Sequence, residues 1–155
     1  MVSYKNNVYK NKVKCEHEME LAFDAKSENE NFARVVIAAF CTRVDPTIEE
    51  IADVKTAVSE AVTNCIVHGY ANSEGKVYMK CILKDRQVTI IIKDKGVGID
   101  NINQAMEPLY TSKPEQERSG MGFSFMESFM DDMQVASIVG EGTKVIMTKT
   151  IEVPK

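Results

Sequence analysis

No stretch of this 155-residue chain approaches the ~20 consecutive apolar residues that a bilayer-spanning helix needs, so a helix-anchored membrane protein is excluded. The first fifteen residues, MVSYKNNVYKNKVKC, lack an apolar segment and do not read as a secretory signal. No C-x-x-C pair occurs among Cys15, Cys41, Cys65 and Cys81, and three of the four sit in apolar stretches. A zinc site or disulfide framework is therefore not expected; reduced, buried thiols of a cytoplasmic protein are. A basic surplus is also missing. The net charge is -4, whereas a nucleic-acid binder should carry a basic footprint. Internal repeats and a linker-like segment are absent as well.

What remains describes one soluble domain with one sizeable core, placed at residues 16–155. Residues 1–15 hold Lys5, Lys10, Lys12 and Lys14 and no acid, leaving 15 basic against 23 acidic residues in the remainder. This segment is expected to be a disordered basic extension, with a docking arm as the alternative.

Alternation in Glu18–Phe23 predicts a half-buried strand. Ser27 with Glu30 reads as a capping box, followed by a helix with Phe32, Val35, Val36, Ala39 and Phe40 inward. Thr47 with Glu50 opens a second, longer helix whose apolar side is Ile48, Ile51, Val54, Val58, Ala61, Val62, Cys65 and Ile66, stopping at Gly69. Two strands follow: residues 77–84, then the mostly apolar 88–93, expected to be central with both faces covered. Residues 95–120 are polar and turn-rich, as functional loops often are. A helix with Phe125, Met126, Phe129 and Met133 inward precedes strands at 135–139 and 143–151. The order β-α-α-β-β-loop-α-β-β predicts an α/β two-layer sandwich, with helices on one face of a mixed sheet.

Four features could carry chemistry. Glu60 and Asn64 lie four apart on one helix face, with Thr63 beside them and His68 continuing the row. A carboxylate and an amide oxygen so placed can orient a hydroxyl and hold Mg²⁺, which accepts one protein oxygen plus phosphates and water. Taken singly, the pair is also the wet edge of an amphipathic helix. Asp94-Lys95-Gly96-Val97-Gly98 closes an apolar strand. Its carboxylate can accept a hydrogen bond from an adenine amino group, while its glycines permit close approach to a flat ligand. Ser119-Gly120-Met121-Gly122 opens a helix, where free N–H groups favour phosphate, and Lys113 and Arg118 lie just upstream. Gly140-Glu141-Gly142-Thr143, alone, is only a turn.

Their order along the chain is more specific than any one of them. E-x-x-x-N on a helix, D-x-G-x-G after a strand, G-x-G before a helix and G-T before a last strand resemble the GHKL ATPase superfamily over residues 16–151. The stretches NENFARVVIAAF, SEAVTNCIVHGY and EPLYTSKPEQERSGMGFSFMESFMDD are similar to its sporulation branch, the anti-sigma-F kinases. The resemblance implies a mostly antiparallel sheet, a site for ATP and Mg²⁺, and two roles. One is to hold a sporulation sigma factor away from RNA polymerase. The other is to phosphorylate a serine of an anti-anti-sigma partner.

It also implies roles for individual residues. Glu60 is the general base and Asn64 the Mg²⁺ ligand. Asp94 reads adenine, with Gly96 and Gly98 allowing the approach. Ser119, Gly120, Met121 and Gly122 meet the phosphates under a lid bearing Lys113 and Arg118. Thr143 adds a hydroxyl near the base, and Arg34 contacts a partner. Residues 17–43 are expected to form a homodimer and sigma-docking face, with no direct contact to nucleic acid or membrane. The alternatives are a histidine-kinase catalytic domain, for which the chain lacks a phospho-accepting hairpin, and a non-catalytic module gated by ATP.

Overall fold

The structure, a computed structural model, describes residues 16–107 and 122–155. Five strands, β1 (Glu16–Asp24), β2 (Lys76–Lys84), β3 (Gln87–Lys93), β4 (Asp132–Ile138) and β5 (Gly142–Thr150), form one sheet in the order β1-β2-β3-β5-β4. All four ladders between them are antiparallel. Three longer helices, α1 (Glu28–Cys41), α2 (Ile48–Asn64) and α4 (Gly122–Phe129), pack with α2 between the other two, and a short α3 (Ile102–Ala105) follows β3. The α/β sandwich and the element order agree with the sequence reading, but the sheet is antiparallel throughout rather than mixed.

The sheet shows why the core lies on one side. Val77, Met79, Cys81 and Leu83 of β2 and Val88, Ile90 and Ile92 of β3 are buried, while their alternates are half-buried or exposed. That is the two-residue period of a strand with one covered face. β3 is central, between β2 and β5, but Thr89 and Ile91 are only half-buried, so its outer face is not covered as expected.

α2 begins with the expected capping box: the Glu50 N–H donates to Thr47 Oγ1 at 3.1 Å, and the Thr47 N–H to Glu50 Oε1 at 2.9 Å. Val54, Val58, Ala61 and Val62 line its core stripe, but Ile48 is 87% exposed because it precedes the region where α2 meets the sheet. The box expected at Ser27 does not form. Ser27 makes no cap bond, and Glu30 instead accepts from the Thr63 hydroxyl of α2 at 3.0 Å.

The inward face of α1 also differs from the expectation. Ala33, Ile37, Phe40 and Cys41 are buried, whereas Phe32 is 45% and Val35 59% exposed. The helix carries apolar residues on two rows, and packing on α2 selects the row containing the smaller Ala33. α4 stops at Phe129, so Met126 and Met130 fill the core, and Met133 belongs to β4.

Candidate functional site

At the end of α2 the chain leaves the α-helical repeat. Residues Cys65–Gly69 form one π-helical turn, closed by the Tyr70 N–H donating to the Cys65 carbonyl at 2.9 Å. Such wider turns are frequent at functional sites. This turn brings Asn64, Cys65, His68 and Gly69 to the wall of a cavity of about 490 Å³. That volume is within the range of small-molecule sites. The lining also takes in Asp94, Val97 and Gly98 after β3, Asn101 and Gln104 at α3, and Thr143 and Val145 of β5. Gly122 and Phe123, at the start of α4, complete it.

Asp94 is the buried carboxylate of this cavity, only 3% exposed. Its Oδ1 accepts the Gly96 N–H at 2.9 Å, and the Cys65 thiol also hydrogen-bonds to it. Burial pushes its carboxyl above the usual range, opposed by these two donors and by the Thr143 backbone. The Cys65 thiol is in turn held well above its ordinary value, first by burial and then by the Asp94 charge.

The turn after Asp94 is fixed by backbone contact. Val97 N–H donates to the Gly69 carbonyl at 2.9 Å, and a Cβ on Gly96 would lie 1.9 Å from that same oxygen. Only glycine fits there. Gly98 holds φ at +77°, the left-handed region. Ser137 of β4 accepts the Ile99 N–H at 2.7 Å and shares a 2.8 Å bond with the Thr143 hydroxyl, joining the two turns.

Glu60 stands half-buried one turn before Asn64. A Cβ built on Gly122 would lie 3.3 Å from Glu60 Oε2 and 3.2 Å from Asn64 Oδ1. The carboxylate, the amide and the beginning of α4 therefore meet at one point.

Thus the structure brings together Glu60, Asn64, Asp94, Gly98, Gly122 and Thr143, with Gly96 just behind Asp94. Arg34 is elsewhere: its Nη1 donates to Ser59 Oγ at 3.0 Å, across the α1–α2 contact. Lys113, Arg118, Ser119, Gly120 and Met121 lie outside the described residues. Sequence reasoning missed Cys65, Gly69 and Ser137 as parts of the site. Cys65 and Gly69 did lie in the quoted motif. Ser137 carried no signal, since its role depends on the β4–β5 register, which sets Ser137 opposite Thr143. Among the described residues, no helix is long and apolar enough to cross a membrane.

A family model described as the histidine kinase-like ATPase domain matches residues 23–149. The anti-sigma F factor of Clostridium acetobutylicum is 61% identical over 134 residues, covering 86% of this chain and 94% of the relative. The chain belongs to the anti-sigma F factor family of histidine kinase-like ATPase domains. Other members of the anti-sigma F factor family are as close in extent. That of Clostridium beijerinckii is 60% identical over 89% of this chain and 97% of its own length, and that of Oceanobacillus iheyensis 56% over 90% and 96%. The fold is similar to the RsbU and RsbW domains of a Mycobacterium tuberculosis protein, with a TM-score of 0.65 and 19% identity. That match covers 89% of this chain, which spans about a third of the larger protein, at 33%.

Proposed function

We propose that this protein is a cytoplasmic anti-sigma factor that binds a sporulation sigma-F-type partner and, with Mg-ATP, phosphorylates its anti-anti-sigma antagonist on serine. The names of its relatives support the first role. The meeting of Glu60 and Asn64 at Gly122, on a cavity whose lining also includes the buried Asp94, supports the second.

The residues present fit an adenine nucleotide. A buried carboxylate beside a glycine turn offers an acceptor to the adenine amino group, and guanine would present a carbonyl there instead. Asn64 would hold Mg²⁺ through its amide oxygen, the remaining ligands being phosphate oxygens and water. When bound, Mg-ATP supplies the transferable phosphoryl group and neutralises its developing charge. The protein contributes mainly position and electrostatics, as phosphoryl transfer requires. Glu60 receives the proton of the attacking serine hydroxyl, and Thr143 fixes the turn beside the base. Gly120 and Gly122, with Ser119 and Met121, would expose helix N–H groups to phosphate, and Lys113 and Arg118 would close over it.

Partner binding would use the outer face of α1, where Phe32 and Val35 are exposed, with the half-buried Arg34 reached at the α1–α2 edge. With β1, an edge strand, this face would also carry the homodimer. Light scattering that finds only monomer at micromolar concentration would count against that assembly.

The decisive experiment mixes the protein with Mg-ATP and a purified antagonist. Glu60→Gln should abolish phosphoserine formation while leaving ATP affinity within about twofold of the original, because a base lost from the reacting end removes only transition-state assistance. Equal loss of binding and transfer would make Glu60 structural. Tight sigma binding without transfer by the unaltered protein would leave an ATP-gated binder.

A further inference from the structure

Cys65 is the one cysteine of the described residues that lines the cavity; Cys41 and Cys81 are buried elsewhere in the core. It stands at the first position of the π-helical turn, where its own N–H reaches the carbonyls of both Ala61 and Val62. The turn behind it is locked on the other side as well. Tyr70 Oη accepts the Lys95 N–H at 2.8 Å and donates to the Lys76 carbonyl at 2.6 Å, while the Gly69 carbonyl takes the Val97 N–H. Asp94 is thus gripped from three directions by one short segment: the Cys65 thiol against its carboxylate, the Gly69 Cα beneath it and Tyr70 on the following peptide.

We propose that Cys65 is a specificity-determining positioning residue, whose thiol donates to the Asp94 carboxylate and holds it as the acceptor that selects a 6-amino purine. A carboxylate has two oxygens and several acceptor directions. Gly96 N–H occupies one direction at Oδ1 from the β3 side. A second donor from the helix side leaves the carboxylate a single orientation, with its remaining acceptor capacity toward the cavity. A thiol is a weak donor to a neutral oxygen, but a charged acceptor strengthens the bond. A thiol also packs as a small apolar group, so this donor sits in the wall without wetting it. The inference rests on the reading of Asp94 as the residue that recognises adenine.

The test uses the full chain and two probes, ATP and purine riboside triphosphate, which lacks the 6-amino group but keeps the phosphates. Three variants separate donor from volume. Cys65→Ala and Cys65→Val remove the donor with a smaller or a larger side chain, and Cys65→Ser keeps it. The preference of the unaltered protein for ATP should shrink by about tenfold in Ala and Val and be retained in Ser. Binding of the deaminated probe should change little, and so should urea midpoints corrected for packing. A full preference in both Ala and Val overturns the proposal. Parallel weakening of both probes overturns it too, since that is a packing effect. If the unaltered protein itself shows no preference, the reading of Asp94 falls first, and the two failures remain distinct.

Discussion

A methyl group added at Gly69 presses directly on the carboxylate read as the adenine acceptor. A Cβ there would lie 2.8 Å from Asp94 Cγ and 2.9 Å from both carboxylate oxygens. Reaching an ordinary 3.4 Å contact requires a shift of about 0.6 Å at the carboxyl carbon. Asp94 is 3% exposed and held by Gly96 N–H at 2.9 Å, so the added methyl pushes it toward the cavity rather than out to the surface. Gly69→Ala should therefore misplace the carboxylate. A hydrogen bond to a charged group contributes about 1.5–3 kcal/mol, so its loss should weaken ATP binding about 10- to 150-fold. Overpacking should also lower stability by about 1–3 kcal/mol. Gly140→Ala is the matched control. It holds φ at +84° with nothing within 4 Å of its Cβ, so it should cost about 1–2 kcal/mol in backbone strain and leave ATP affinity unchanged. Calorimetric titration with ATP and urea denaturation on both variants separate the effects. If Gly69→Ala is destabilised yet binds ATP as tightly as Gly140→Ala, the position of Asp94 does not govern binding and the reasoning is refuted.

Other consequences concern the fold and the ionisable groups. Thr47→Ala should lower the unfolding free energy by about 1 kcal/mol through loss of its cap, while Ser27→Ala should be close to neutral; urea curves showing the reverse would contradict the cap assignments. Burial pushes Cys41 and Cys81 up to about 12, so in the folded protein at mildly alkaline pH neither should react appreciably with Ellman's reagent, and both should react in guanidinium. Because Asp94 titrates above its ordinary 3.8, the free protein gains stability from this group as pH falls through the raised value, its charged form being the buried burden. Adenine recognition should move the opposite way. The preference for ATP over purine riboside triphosphate should decline on acidification before ordinary carboxylates titrate, and a preference that persists through that range would dissociate it from the Asp94 charge.

How much of this was legible in the sequence depended on whether the cue was local. Glu60 and Asn64 were readable because helix spacing alone puts them on one face, and Asp94 because a carboxylate ended an apolar strand before two glycines. Cys65, Gly69 and Ser137 were not, for a common reason. Their contacts follow from a π-helical turn and a strand register, and neither is set by the composition of the segment itself. The misread face of α1 has a different cause. Ranking residues by size and apolarity turns Phe32, Val35 and Val36 inward, but that ranking ignores how closely two helices must approach. α1 is bound to α2 by Glu30 to Thr63 and by Arg34 to Ser59, bonds of 3.0 Å that keep the two helices near each other. A small residue, Ala33, fits that close contact, so the bulkier row is turned out. The same two bonds attach to α2 on either side of Glu60. The rotation that exposes Phe32 and Val35 to a partner is therefore fixed by the very contacts that flank the proposed base, and a partner that displaced α1 would act on the helix carrying both Glu60 and Asn64.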